Sequence, residues 1–324
     1  MKIALESLRS ALSYNPSSHP SGLPAILIAR FPHQLVDVLV MLAVKRGIRN
    51  PWSDADRDVL SAFVIYWLLF VGYGDKAAWR AFLHSERPGW VFSLEAIQRL
   101  VSEYESEGFA YDLARCDHLS LLRQQVVEGD YVLRYWNERF TAADIISGCK
   151  PGESLRVLST DDERIKRALM WLQRAYIWNS FPNYDPTSER DDDLPIDLDH
   201  IVPRDFFGFH WGKKEERLEA DIGSDTFRWQ REVVGNTLGN YRWINSSENR
   251  ARGKGAFVAI DGDHDLVSNA AEWNELIREG EYRRWSRSDV SKFQRLIDLR
   301  TLDLYEKLLI GTGIRTILPP KDGN

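Results

Sequence analysis

Apolar residues recur at helical spacing through the first half of the chain. Leu35, Val38, Leu39 and Leu42 fall at i, i+3, i+4 and i+7, and Gly47 marks where that helix stops. Ser53 with Asp56 after it is a capping signal for a second helix. That helix carries the longest apolar run, 62–71, and Gly72 and Gly74 close it. Further helices are predicted over 76–85, 93–107 and 118–128, while the Pro- and Ser-rich stretch 15–24 reads as a loop. Thr160 and Glu163 form a capping box, and Ile165, Leu169, Leu172 and Tyr176 line one face of the helix it opens.

The period then changes. Leu194, Ile196 and Leu198 alternate with Pro195, Asp197 and Asp199, which predicts a short, half-buried strand. A second apolar segment covers 241–244, and Ser246 and Ser247 directly after it are good N-caps for a helix starting at once. Helical spacing returns in the tail, 288–310, through Val290, Phe293, Ile297, Leu304 and Leu308, a helix expected to pack back on the N-terminal bundle. The pattern predicts a mainly α protein with three stretches: a helical domain 1–155, a strand-containing module 156–262, and a C-terminal helical segment 263–324.

Composition narrows the function classes. A chain of 324 residues, 44% hydrophobic and 28% charged, is ordinary globular material for one large or two modest domains. With 48 acidic against 42 basic residues the net charge is −6, which excludes coating nucleic acid by bulk charge but leaves room for a local basic groove. Two cysteines, Cys116 and Cys149, supply neither a disulfide framework nor a cysteine-based zinc knuckle, and suit a reducing cytosol. Glu6 and Arg9 interrupt any signal-peptide core, and the run 62–71 is half of the ~20 residues a membrane-crossing helix needs. A soluble, cytoplasmic protein without a membrane partner is expected. No phosphate-binding loop of the G-x-x-x-x-G-K-[ST] kind is present.

Two segments carry candidate chemistry. The first runs Asp197-Leu198-Asp199-His200-Ile201-Val202-Pro203, the second from Gly239-Asn240 through Tyr241-Arg242-Trp243-Ile244 to Asn249 and Lys254. A carboxylate directly before a histidine at a strand end sets a hard oxygen ligand beside an imidazole. Strand, strand and helix would bring Asp199, His200 and Asn249 to one cleft. An oxygen-only pair suits Mg²⁺, which keeps most of its waters, and suits zinc poorly.

The pattern Asp199-His200-x-x-Pro203, then Gly239-Asn240-x-x-x-Ile244, then Asn249 resembles the HNH (ββα-metal) nucleases, with Asn in place of the last His. It is most similar to the C-terminal nuclease module of the GmrSD-type modification-dependent restriction enzymes, over roughly 194–254. The resemblance implies a helical bundle with an inserted ββα-metal module that hydrolyses DNA with Mg²⁺ or Mn²⁺, in defence against foreign or modified DNA. By the same resemblance His200 is the general base, Asp199 and Asn249 hold one divalent metal, and Asn240 braces the loop bearing His200. An imidazole with an ordinary pKa near 6.5 suits proton abstraction near neutrality. Arg242, Arg250, Arg252 and Lys254 cluster around the motif as candidate phosphate contacts. The NTPase motifs of the full family are missing, so a separate NTPase or sensor domain or subunit joins DNA as an expected partner. Cutting both strands with one site per chain would favour a dimer or sequential nicking.

Other readings stay open. Asn236 and Asn245 repeat the spacing of Asn240 and Asn249, and Gly235 precedes Asn236 as Gly239 precedes Asn240. The second pair is chosen because Tyr241 to Ile244 makes the better strand. Asn249 could simply cap a helix, and the arginines could form a solvated helix face. The acidic run 189–193 reads as a solvated loop, and Trp67, Trp79, Trp171 and Trp178 as core. An alternative function is a catalytically silent or partner-dependent DNA-binding or scaffolding subunit of a restriction-type complex.

Overall fold

The apolar ladder at Leu35, Val38, Leu39 and Leu42 winds into a helix of 14 residues, and each of those four side chains is buried. Gly47 ends it with φ at +99°, a conformation L side chains rarely adopt. The computed structural model describes residues 2–71, 91–104, 123–124, 127–128, 134–135, 156–157, 163–182, 195–207, 235–253, 267, 270–277 and 287–318. Outside them lie the helix expected at 76–85, most of that at 118–128, Gly72, Gly74, Thr160, both cysteines, Trp79, the acidic run 189–193 and Lys254.

In chain order the elements are α1 (Lys2–Leu12), α2 (Ala25–Ala29), α3 (His33–Arg46), α4 (Asp54–Tyr66), α5 (Leu94–Tyr104), β1 (Arg134–Tyr135), β2 (Arg156–Val157), α6 (Glu163–Leu172) and α7 (Arg174–Ser180). Then follow β3 (Ile196–His200), α8 (Arg204–Phe207), β4 (Tyr241–Asn245), α9 (Ser246–Arg252), α10 (Ala270–Asn274), α11 (Arg287–Gly311) and α12 (Ile314–Ile317). The described chain is mainly helical. β1 and β2 are a two-residue parallel pair, and β3 and β4 an antiparallel one. No described helix is long and apolar enough to cross a membrane.

Local chemistry explains the boundaries. The Ser53 side chain accepts from the Asp56 N–H at 3.1 Å and starts α4, and Ser93 does the same for Ala96 at the head of α5. The run after Tyr66 continues as a π-helical turn, Trp67–Val71. At α9 the cap differs from expectation. The last strand residue, Asn245, accepts from the Ser247 N–H at 2.8 Å, so the cap is Asn245 and Ser246 is already helical.

One apolar core runs through all three stretches of sequence, from Leu8 and Leu39 through Leu169 and Ile196 to Phe293 and Ile317. α12 packs on α4 and α5, and α6 touches the π turn, α2, α11 and β4. The β3–β4 pair is therefore built into the bundle. Gln173, 1% exposed at the break between α6 and α7, works as a surrogate strand. Its Oε1 accepts from the Trp243 N–H (2.7 Å) and its Nε2 donates to the Trp243 carbonyl (3.0 Å). The Tyr176 hydroxyl accepts from the Asn245 N–H, and the Trp243 indole donates to the Lys166 carbonyl. These Trp243 and Asn245 backbone groups on the outer edge of β4 are thus satisfied by the side chains of Gln173 and Tyr176, which an exposed edge would lack.

Candidate active site

β3 pairs with β4 so that Asp199 faces Arg242, His200 faces Tyr241 and Asp197 faces Ile244. α9 follows β4 without a linker and lies across both strands, giving a strand–strand–helix unit. Because side chains alternate along a strand, Asp197 and Asp199 share one face and His200 takes the other. The α9 side chains meet the aspartate face. Asn249 Nδ2 donates to Asp197 Oδ2 at 3.2 Å, and Arg252 Nη1 donates to Asp199 Oδ2 at 2.6 Å.

Asn240 is fully buried in a 3-10 turn, 238–240, just before β4. Its Oδ1 accepts from the Val202 N–H (2.9 Å), and its Nδ2 donates to the carbonyls of Val202 (3.2 Å) and Gly235 (2.9 Å). The Asn240 carbonyl accepts from the Ile201 N–H at 2.8 Å. The segment after His200 is thereby tied to the turn before β4. That turn rests on α11, where Arg300 donates to the carbonyls of Leu238 and Gly239. A Cβ on Gly239 would stand 2.4 Å from the Ile297 carbonyl oxygen and 2.4 Å from Thr301 Oγ1, so only glycine permits this approach.

His200 Nε2 lies 3.1 Å from Asn236 Oδ1, and its ring sits 4.2 Å from the Tyr241 ring, centroid to centroid. The Tyr241 hydroxyl donates to the same Asn236 oxygen at 3.3 Å. Burial pulls the His200 pKa from 6.5 down to about 4; the Asn236 contact opposes this, and the charges of Arg204 and Arg252 add to it. The imidazole is neutral at pH 7, the state a general base needs. A pKa of about 4 makes it a weak base in the unliganded protein, and a phosphate brought beside it would raise that value.

Asp199 is the centre of a buried ion cluster. Its Oδ2 accepts from Arg242 Nε at 3.1 Å as well as from Arg252, and all three side chains are under 10% exposed. Burial pushes the Asp199 carboxyl above its ordinary value, with Arg252 and Arg242 pulling the other way. Arg252 also donates to the carbonyls of His200 (3.0 Å) and Ile201 (2.5 Å), clamping the end of β3 to α9. Two of the four expected phosphate contacts are therefore turned inward. Arg242 is 1% exposed, and Arg252 is held by Asp199 and two backbone oxygens, because a carboxylate buried at Asp199 needs nearby positive charge. Arg250 is exposed, and Lys254 lies outside the described residues.

For a cation, this cluster offers oxygen. Asp199 Oδ1 is the carboxylate oxygen not committed to a guanidinium, and Asn249, donating through its nitrogen, keeps its amide oxygen as a donor atom. Among the described residues no group of three or more His, Cys, Asp or Glu converges. Asp199 and Asn249 are oxygen donors, the kind Mg²⁺ takes while keeping most of its waters. Asn249 meets Asp197 rather than Asp199, and alternation along β3 turns His200 to the face opposite both aspartates. The two guanidiniums on Asp199 Oδ2 oppose a cation there.

Three contributors escaped the sequence reading. The sequence offers Asn236 only as a rival register and Arg252 only as a candidate phosphate contact or part of a solvated helix face, and does not single out Arg204. Arg204 directly follows Pro203 and is exposed, with its charge felt at His200. Its place next to the motif was the available signal. Trp178, read as core, is 45% exposed.

Compared with protein-family models, with curated proteins and with solved structures, the chain matches none.

Proposed function

We propose that this chain is a metal-dependent DNA endonuclease acting by an HNH-type mechanism, in defence against foreign or modified DNA. The observation that carries the reading is Asn240. Its buried amide joins the segment after His200 to the turn before β4, so that two strands and a braced turn frame a neutral histidine while the helix that follows covers the aspartate face of the same strand.

In this reading His200 takes a proton from the attacking water. Asp199 and Asn249 would hold a divalent ion, which would supply positive charge to offset that developing at the phosphate and the leaving oxygen. Asn240 and Arg252 keep the end of β3 in place while the substrate docks. Arg250 and Arg204, both exposed, supply positive charge for the backbone, so binding weakens steeply with salt.

A specific observation favours a second reading, a silent or partner-dependent DNA-binding subunit: Asp199 already has two guanidiniums on one oxygen. End-labelled DNA duplex and RNA of the same sequence, incubated with Mg²⁺, Mn²⁺ or EDTA, separate the two. Metal-dependent cleavage of the DNA supports the nuclease. Binding without cleavage under every condition supports the subunit, and cleavage confined to RNA changes the substrate class.

A further inference from the structure

The Asn236 side chain contacts both His200 and Tyr241, whose ring packs on the imidazole. Its Oδ1 lies 3.1 Å from His200 Nε2 and 3.3 Å from the Tyr241 hydroxyl, so two groups that can donate converge on a single amide oxygen. His200 and Tyr241 are direct cross-strand partners with rings 4.2 Å apart, which fixes the plane in which the imidazole can turn. Asn236 stands four residues before Asn240, in the stretch whose Gly235 carbonyl the Asn240 amide holds at 2.9 Å. The turn that braces the histidine loop therefore also carries the group that meets the histidine ring.

We infer that Asn236 is a positioning residue that sets the tautomer and orientation of His200. A neutral imidazole carries one N–H, and the hydrogen bond made by one ring nitrogen decides where it sits. With Asn236 Oδ1 as acceptor the proton sits on Nε2, and the basic lone pair belongs to Nδ1. Nδ1 is then the atom that takes the proton from water. A reversed amide would place an N–H donor against Nε2 and move the imidazole proton to Nδ1, leaving the base on the wrong atom. Tyr241 holds the amide in its present sense by donating its hydroxyl proton to the same oxygen.

This inference rests on the reading of His200 as the base, but it can be tested without activity. Histidine-specific ¹⁵N labelling of the full chain, with His200 assigned by difference from His200→Gln, reads the tautomer from the two ring-nitrogen shifts at pH 7. The expected result is an Nε2–H tautomer in the wild type, kept in Asn236→Asp, which retains the acceptor oxygen, and lost in Asn236→Leu, which has the same shape and no acceptor. An Nδ1–H tautomer in the wild type overturns the inference, as does an unchanged signature in Asn236→Leu. If Asn236→Leu does not fold, the wild-type and Asn236→Asp spectra decide alone. In cleavage assays Asn236→Leu should lower kcat on the order of 10–100-fold with little change in KM, as expected for loss of a residue that orients a histidine. An Nε2–H tautomer in a chain that cleaves nothing would leave the positioning intact and sink the nuclease instead.

Discussion

The side chain of Asn240 closes a ring with the backbone of Val202, accepting its N–H at 2.9 Å and donating to its carbonyl at 3.2 Å. A third bond to the Gly235 carbonyl completes the satisfaction of a fully buried amide. Asn240→Ala removes all three bonds and strands backbone groups away from water. The loss should be about 2–4 kcal/mol, since each buried group left unpaired costs about 1–3 kcal/mol. Urea denaturation with both variants at the same slope measures it. A loss below about 1 kcal/mol would mean the turn is held from elsewhere.

Gly239→Ala tests the support beneath that turn. The new Cβ would meet the Ile297 carbonyl oxygen at 2.4 Å, and a backbone atom of α11 cannot swing aside as a side-chain end can. A destabilisation of about 1–3 kcal/mol is expected, as for other overpacked sites. Thermal unfolding reads it. A neutral substitution would show that the turn and α11 are not in firm contact.

What the sequence made legible, and what it did not, follows the range of the interactions. The α3 ladder, the Ser53 cap and the β3 alternation are local patterns, and each emerges as an element because the period of apolar residues decides which face is buried. The two short apolar strands were legible locally, whereas their pairing followed only from the resemblance and is seen in the fold. The roles of Arg242 and Arg252 were not. A charged residue in a helix turn or a strand looks solvated until the fold places a buried carboxylate opposite it, across a separation of about forty residues or more. Gln173 and Asn236 escaped for the same reason, because their partners, Trp243 and His200, lie far away in sequence.

Arg252 and Asp199 should be energetically coupled. Arg252→Met keeps the aliphatic stem and removes the bonds to Asp199, His200 and Ile201, so about 3 kcal/mol of stability should go, at the low end for a broken buried pair. In a cycle with Asp199→Asn the double variant should lose less than the two singles together, by about 1 kcal/mol or more. Strict additivity in denaturant melts would contradict the ion cluster.

The depressed pKa of His200 makes stability depend on pH. Its ordinary value of 6.5 falls to about 4 in the folded chain, so between those limits the unfolded chain binds a proton that the folded one does not. The contribution is complete above pH 6.5 and lost as pH falls toward 4, at most about 3 kcal/mol for a shift of this size. Asp199, with its carboxyl pushed up, works in the other direction, favouring the fold at low pH and losing that contribution as pH rises above 3.8. Melting temperatures of wild type and His200→Gln across pH 4–7 isolate the histidine. The wild type should lose stability more steeply on acidification than the variant, and parallel curves would place His200 in solvent.

The most direct test of the proposed nuclease is conversion of supercoiled plasmid, modified and unmodified, by wild type and His200→Ala side by side in Mg²⁺, Mn²⁺ or EDTA. Nicking that requires metal and vanishes in His200→Ala is the predicted result. Nicking that persists in His200→Ala would put the base elsewhere, and no nicking by the wild type with either metal on either DNA would contradict the endonuclease.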